Sequence, residues 1–136
     1  MHDNLNLISE FSLNKGLEYG MKKTIKKLEN NLVQALTKAC EDAKAHSHGF
    51  EWLTHTADYS NFPASLHVRC IYDTDASLLS AQNSGQDIYI VKFIHSALLK
   101  AGILLKNPAR HITFDTEQAC EREHQGNWKQ RISKVH

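Results

Sequence analysis

The sequence contains no apolar run near the roughly 18 residues that a membrane-spanning helix requires, so no helical membrane span is expected. Prolines number two, Pro63 and Pro108, and glycines six; each therefore punctuates an otherwise continuous pattern. There are three cysteines, Cys40, Cys70 and Cys120, with no Cys-x-x-Cys spacing. An odd, dispersed set argues against a disulfide framework and suits a reducing, cytoplasmic setting. Charge is nearly balanced, 16 basic against 15 acidic residues, leaving +1. A bulk polyanion binder carries more than that, so nucleic-acid affinity would have to come from a local patch. No Gly-x-Ser-x-Gly elbow, P-loop, dinucleotide fingerprint or His-Glu-x-x-His motif occurs, so the reactions those motifs serve have no support here. No cofactor is implied. The first residues carry acids and asparagines in place of a basic stretch followed by an apolar one, so a signal peptide is not expected.

What the sequence does contain is helical periodicity. At 136 residues the chain is long enough for one domain with its own core. In residues 87–101, Ile88, Val91, Ile94, Leu98 and Ala101 fall on one side of a helix, and Ile90, Ala97 and Leu99 widen the arc. So wide an arc predicts a mostly buried central helix. Gly102 reads as its left-handed C-cap, with Ile103 and Leu104 folding back onto the last turn. Residues 22–46 form the second strong pattern, with Ile25, Leu28, Leu32, Leu36, Ala39 and Ala43 on one face. Residues 1–20 read as a weakly ordered arm, and Met21 as the natural start. The arm holds three acids (Asp3, Glu10, Glu18) and one lysine (Lys15), so residues 21–136 keep 15 basic and 12 acidic side chains.

Between and after the two long helices the period falls to two. Residues 50–56 and 65–72 alternate as a hairpin, with a Pro-containing turn at 57–64. In the first strand Phe50, Trp52 and Thr54 are expected on one face. A short helix at 75–82, a turn at 83–86, a third strand at 110–114 and a helix at 116–124 complete the pattern, and Trp128 returns to the core. The expected fold is α+β, a two-layer sandwich in the order αββααβα. Residues 1–20 are the arm, residues 21–136 a single domain, and the helices pack on one face of a three-stranded sheet. Without its last helix the order is similar to the type II KH arrangement of RNA-binding and ribosome-associated modules.

Several side-chain sets carry candidate chemistry. Two turns nearly repeat each other, IYDTDAS at 71–77 and TFDTEQA at 113–119. Pooled, Asp73, Asp75, Asp115 and Glu117 would suit a divalent metal in phosphodiester hydrolysis. The same spacing equally suits helix capping, with Asp or Thr as N-cap and an acid in the first turn. Antiparallel second and third strands would hold the two turns about 17–20 Å apart. Lys22, Lys23, Lys26 and Lys27 cluster at a helix N-terminus, where cations oppose the macrodipole, so they read as phosphate contacts or as a solvated face. Tyr59 and Phe62 in the hairpin turn are candidates for base stacking, or for folding back over the sheet. The joint at 83–86 holds a single glycine, Gly85, and so lacks the Gly-x-x-Gly clamp of KH domains. His95 reads as a hydrogen-bonded core residue. His55, His67 and His111 would lie on neighbouring strands.

The stretches KKLENNLVQALTKACEDA, GFEWLTHTADYSNFPASL, FDTEQACEREH and GNW resemble a family of small cytosolic gammaproteobacterial proteins. Its members are often labelled Fis-type transcriptional regulators. The resemblance covers residues 21–132 and carries over no catalytic residue. The label implies a C-terminal helix-turn-helix. Here the tail NWKQRISKVH is too short for one, and the helix before it is acidic.

The leading expectation is a non-enzymatic cytoplasmic binding module with RNA, DNA or a ribonucleoprotein as partner. Lys22, Lys23, Lys26, Lys27 and Arg69 would meet phosphates, and Tyr59 and Phe62 would stack. The alternatives are a metal-dependent phosphodiesterase on the four acids and a protein-interaction or homodimeric module.

Overall fold

The computed structural model describes residues 23–134; the N-terminal arm, Met21 and Lys22 lie outside them. Helix α1 (Lys23–His46) buries Leu32, Leu36, Ala39, Cys40 and Ala43, the stripe its sequence period demands. Strands β1 (Phe50–Thr56) and β2 (His67–Tyr72) follow, then α2 (Asp75–Ser84) and α3 (Gln86–Lys100). Strand β3 (Ile112–Thr116), α4 (Glu117–His124) and a further short helix α5 (Trp128–Lys134) end the described chain. The order αββααβα is therefore the observed one, with α5 added.

The sheet order is β1-β2-β3, so β2 is central. β1 pairs antiparallel with β2, and β2 pairs parallel with β3, with Tyr72 opposite Thr116. A parallel pair needs a long crossover, and α2 and α3 supply it. Several bounds differ from the expected ones by about two residues: β2 begins at His67, not 65, and α2 runs on to Ser84. β3 begins at Ile112 because Pro108 opens a 3-10 turn over Pro108–His111. In β1 the register slips between Phe50 and Trp52, a bulge at Glu51. An extra residue swaps the faces of everything after it. Phe50 and Leu53 therefore share the main core, and Trp52 lies on the opposite face.

The main core joins α1, α3 and one sheet face through Leu32, Leu36, Leu53, Val68, Tyr72, Ile90, Ile94 and Leu98. α3 is less buried than its apolar arc suggests. Only Ile90, Ile94 and Leu98 are buried, while Ile88 is 58% and Leu99 45% exposed. The sheet side of α3 is covered, and among the described residues nothing covers its far side; the expectation of helices on one sheet face alone is corrected, because α4 and α5 pack on the other. Its end is as expected: Gly102 takes φ +81, and Ile103 N–H donates to Leu98 O at 2.8 Å. Ile103 is buried, whereas Leu104 faces solvent. On the other sheet face a smaller cluster of Trp52, Ile71, Cys120, Trp128 and Ile132 docks α4 and α5. Among the described residues no helix is long and apolar enough to cross a membrane.

Candidate nucleic-acid interface

The parallel β2–β3 pair sets the two acidic turns side by side at one end of the sheet. Each turn is a cap. Thr74 Oγ1 accepts from Ser77 N–H at 3.0 Å, and Thr116 Oγ1 from Ala119 N–H at 2.9 Å. Asp73 and Asp115 each accept the following threonine's N–H, at 2.6 and 2.8 Å. The turns also interlock. Thr116 Oγ1 donates to Asp75 at 2.6 Å, Gln118 N–H to Asp73 O at 3.1 Å, and Asp75 N–H to Gln118 Oε1 at 2.9 Å.

The carboxylates are taken up by donors of the protein itself. Asp115 receives a two-pronged pair from Arg131 at 2.6 and 2.9 Å and a longer contact from Arg69 at 3.5 Å. Asp75 pairs with Arg122 at 2.9 Å. The Thr116 hydroxyl, and then Arg122, hold the Asp75 carboxyl below its ordinary range. Glu117 accepts both indole N–H groups, Trp52 at 2.7 Å and Trp128 at 2.8 Å. Among the described residues no three His, Cys, Asp or Glu side chains form a group that could hold a metal ion. The four acids of the metal reading are thus engaged within the protein, Asp75 and Asp115 by arginines, Glu117 by the indoles and Asp73 by the Thr74 N–H. The three cysteines are buried thiols, and burial raises the pKa of each.

Two further expectations are corrected here. Arg69 is only 6% exposed and faces Asp115 across the sheet, so it is not a surface phosphate contact. An inward-pointing residue on the central strand has no route to solvent. Tyr59 and Phe62 fold back: their rings lie 5.3 Å apart, pack on the main core, and Tyr59 donates its hydroxyl to Glu29. They are not free stacking platforms. Lys22 lies outside the described residues. The expected turn at 83–86 shrinks to Gly85 alone, at φ +80, because α2 runs to Ser84 and α3 starts at Gln86.

The opposite end of the molecule is basic. Lys23, Lys26 and Lys27 are exposed, and the first turn of α1 contains no acid. Glu29, one turn on, is buried beneath the hairpin loop and bonded to Tyr59. The same loop supplies Ala64, Ser65 and Leu66 to a cleft of about 420 Å³ whose other walls are His67, Lys106, Asn107, Arg110 and His111. Among the described residues no carboxylate lines it. His111 Nδ1 lies 2.7 Å from Leu66 O, and His67 Nε2 lies 3.0 Å from Thr113 Oγ1. Burial, then Arg69 and His111, lower the proton affinity of His67. Among the described residues the ion pairs involve Lys38, Arg69, Arg122 and Arg131, and none involves Lys23, Lys26, Lys27, Lys106 or Arg110.

The sequence reading found the α1 lysines but missed Lys106 and Arg110. A signal was present: KNPARH, residues 106–111, places three cationic or titratable groups around a proline turn. Only the parallel pairing sets His111 beside His67. No family model, curated protein or solved structure matches the chain.

Proposed function

We propose that this protein is a non-enzymatic module that binds single-stranded nucleic acid through the phosphates, at the end of the sheet where the α1 lysines and the basic cleft flank the hairpin loop. One observation carries this reading: the division of charge. The arginines at the acidic end are committed to internal carboxylates, and the exposed cations at the other end have no internal partner among the described residues. Lysines at a helix N-terminus cost stability through the macrodipole, roughly 0.3–1 kcal/mol each. An external polyanion would turn that cost into binding energy by releasing counterions. The KH-like element order is compatible with such a role but adds no residue to it.

Anisotropy of a labelled oligonucleotide across a salt series tests the proposal. Affinity should fall with added salt, and Lys23→Gln with Lys26→Gln and Lys27→Gln should lower the log–log slope by about 2 units, at about 0.7 per phosphate contact on a single strand. The melting temperature should hold or rise. No binding at low salt would remove the proposal.

A second reading, self-association, draws on a different feature. Ile88 and Leu99 are both exposed and lie about three turns apart on one side of α3. Sedimentation velocity decides it: a dimer that Ile88→Glu dissociates would support it, and a monomer at high concentration would end it.

A further inference from the structure

We propose that the cleft between the starts of β2 and β3 is a phosphomonoester pocket, so that the protein reads the phosphorylated end of a strand. This rests on the nucleic-acid reading and narrows it to one ligand group. The donors in the cleft are side chains. Three of the rim's backbone N–H groups are already used: Ser65 donates to Asn61 O, Leu66 to Pro63 O and Arg110 to Asn107 O. The cationic and titratable side chains in its walls are Lys106, Arg110, His67 and His111. A carbonyl only accepts, so His111 Nδ1 carries the hydrogen shared with Leu66 O, leaving Nε2 to accept, or to donate once the ring is protonated.

The charge in and behind the cleft exceeds what one phosphodiester needs. Arg69 follows His67 on the same face of β2, and its Nε is buried without a hydrogen-bond partner. Asp115, its counter-ion, is shared with Arg131. The groups facing His67 are thus Arg69, His111 and the Thr113 hydroxyl, none of them an anion. An internal phosphate of a strand carries one negative charge and is esterified on two sides. A terminal phosphate carries nearly two and offers three free oxygens. Two fixed cations and the two imidazoles, of which His67 gains a proton as the ligand arrives, match the second. Burial and neighbouring positive charge keep His67 neutral while the pocket is empty. A dianion reverses the electrostatic part of that effect, so binding takes up protons and tightens as pH falls.

The test uses the full chain and one internally labelled oligonucleotide in three forms: 5′-phosphorylated, 3′-phosphorylated and hydroxyl-ended. One phosphorylated form should bind roughly tenfold or more tighter than the hydroxyl form, the scale of added charge-assisted hydrogen bonds. Lys106→Gln with Arg110→Gln should erase that preference. Replacing the three α1 lysines should weaken all three forms alike and leave the preference in place. Equal affinity for the three forms would overturn the pocket while leaving the nucleic-acid reading intact. If no form binds, that reading falls, and inorganic phosphate then judges the pocket alone. Phosphate-dependent shifts of the His67 and His111 ring protons, with the His67 titration moved upward, would support it; unmoved rings would refute it.

Discussion

Replacing Asp115 with alanine should be among the most damaging single changes in this molecule. Asp115 is buried on the second sheet face and accepts from Thr116 N–H, from Arg131 twice, and from Arg69. Arg131 keeps Glu123 at 2.8 Å and some exposure to water. Arg69 has no other acid among the ion pairs of the described residues and is nearly sealed. The substitution strands a buried guanidinium, and breaking one side of a buried pair typically costs about 3–5 kcal/mol. Against a total stability of about 5–15 kcal/mol, that would lower the melting temperature by roughly 10–25 °C. Urea denaturation followed by tryptophan fluorescence measures it directly, because both tryptophans lie in the cluster that docks α4 and α5. Asp115→Ala combined with Arg69→Met should recover much of the loss, since apolar replacement of a buried pair is often neutral. A cost under about 1 kcal/mol, or a double variant no better than the single, would refute the claim that this acid is structural.

The remaining predictions concern other parts of the fold. His55 is buried, and burial lowers its pKa from 6.5 to about 4; the unfolded chain binds the extra proton between those values. Stability should be complete above pH 6.5 and decline toward pH 4 by about 3 kcal/mol, and His55→Gln should flatten that limb in a melting-temperature series. Gly49 sits at φ +87, and a Cβ there would lie 2.6 Å from Ser77 Cβ and 2.7 Å from Asp73 Oδ1. Gly49→Ala should therefore destabilise by about 2–5 kcal/mol, summing backbone strain and overpacking, as read by urea midpoint. Trp128→Ala removes the edge-on partner of Trp52, 5.2 Å away, and should cost about 3–5 kcal/mol while exposing Trp52 to quencher.

Local chemistry was legible in the sequence wherever it is local in fact. The caps at Thr74 and Thr116, the left-handed Gly102 and the buried stripe of α1 follow from neighbours within a turn or two. The misses are long-range. Arg69 reads as a surface cation on an alternating strand, and only the packing of β3 and α5 shows that its partner is Asp115, which Arg131 shares. Strand direction decided whether the two acidic turns meet, and no local pattern encodes direction. The bulge at Glu51 moved Trp52 to the second face, and a period-two count cannot register an inserted residue. The basic cleft escaped notice for the same reason: His67 and His111 are 44 positions apart in the chain.

Backbone amide shifts recorded during titration with a short single strand test the central claim most directly. The account predicts movement at residues 23–27, 64–67 and 106–111, diminishing with salt, and still amides at residues 73–76 and 115–118. Shifts confined to the two acidic turns, or appearing there only with a divalent cation, would contradict it.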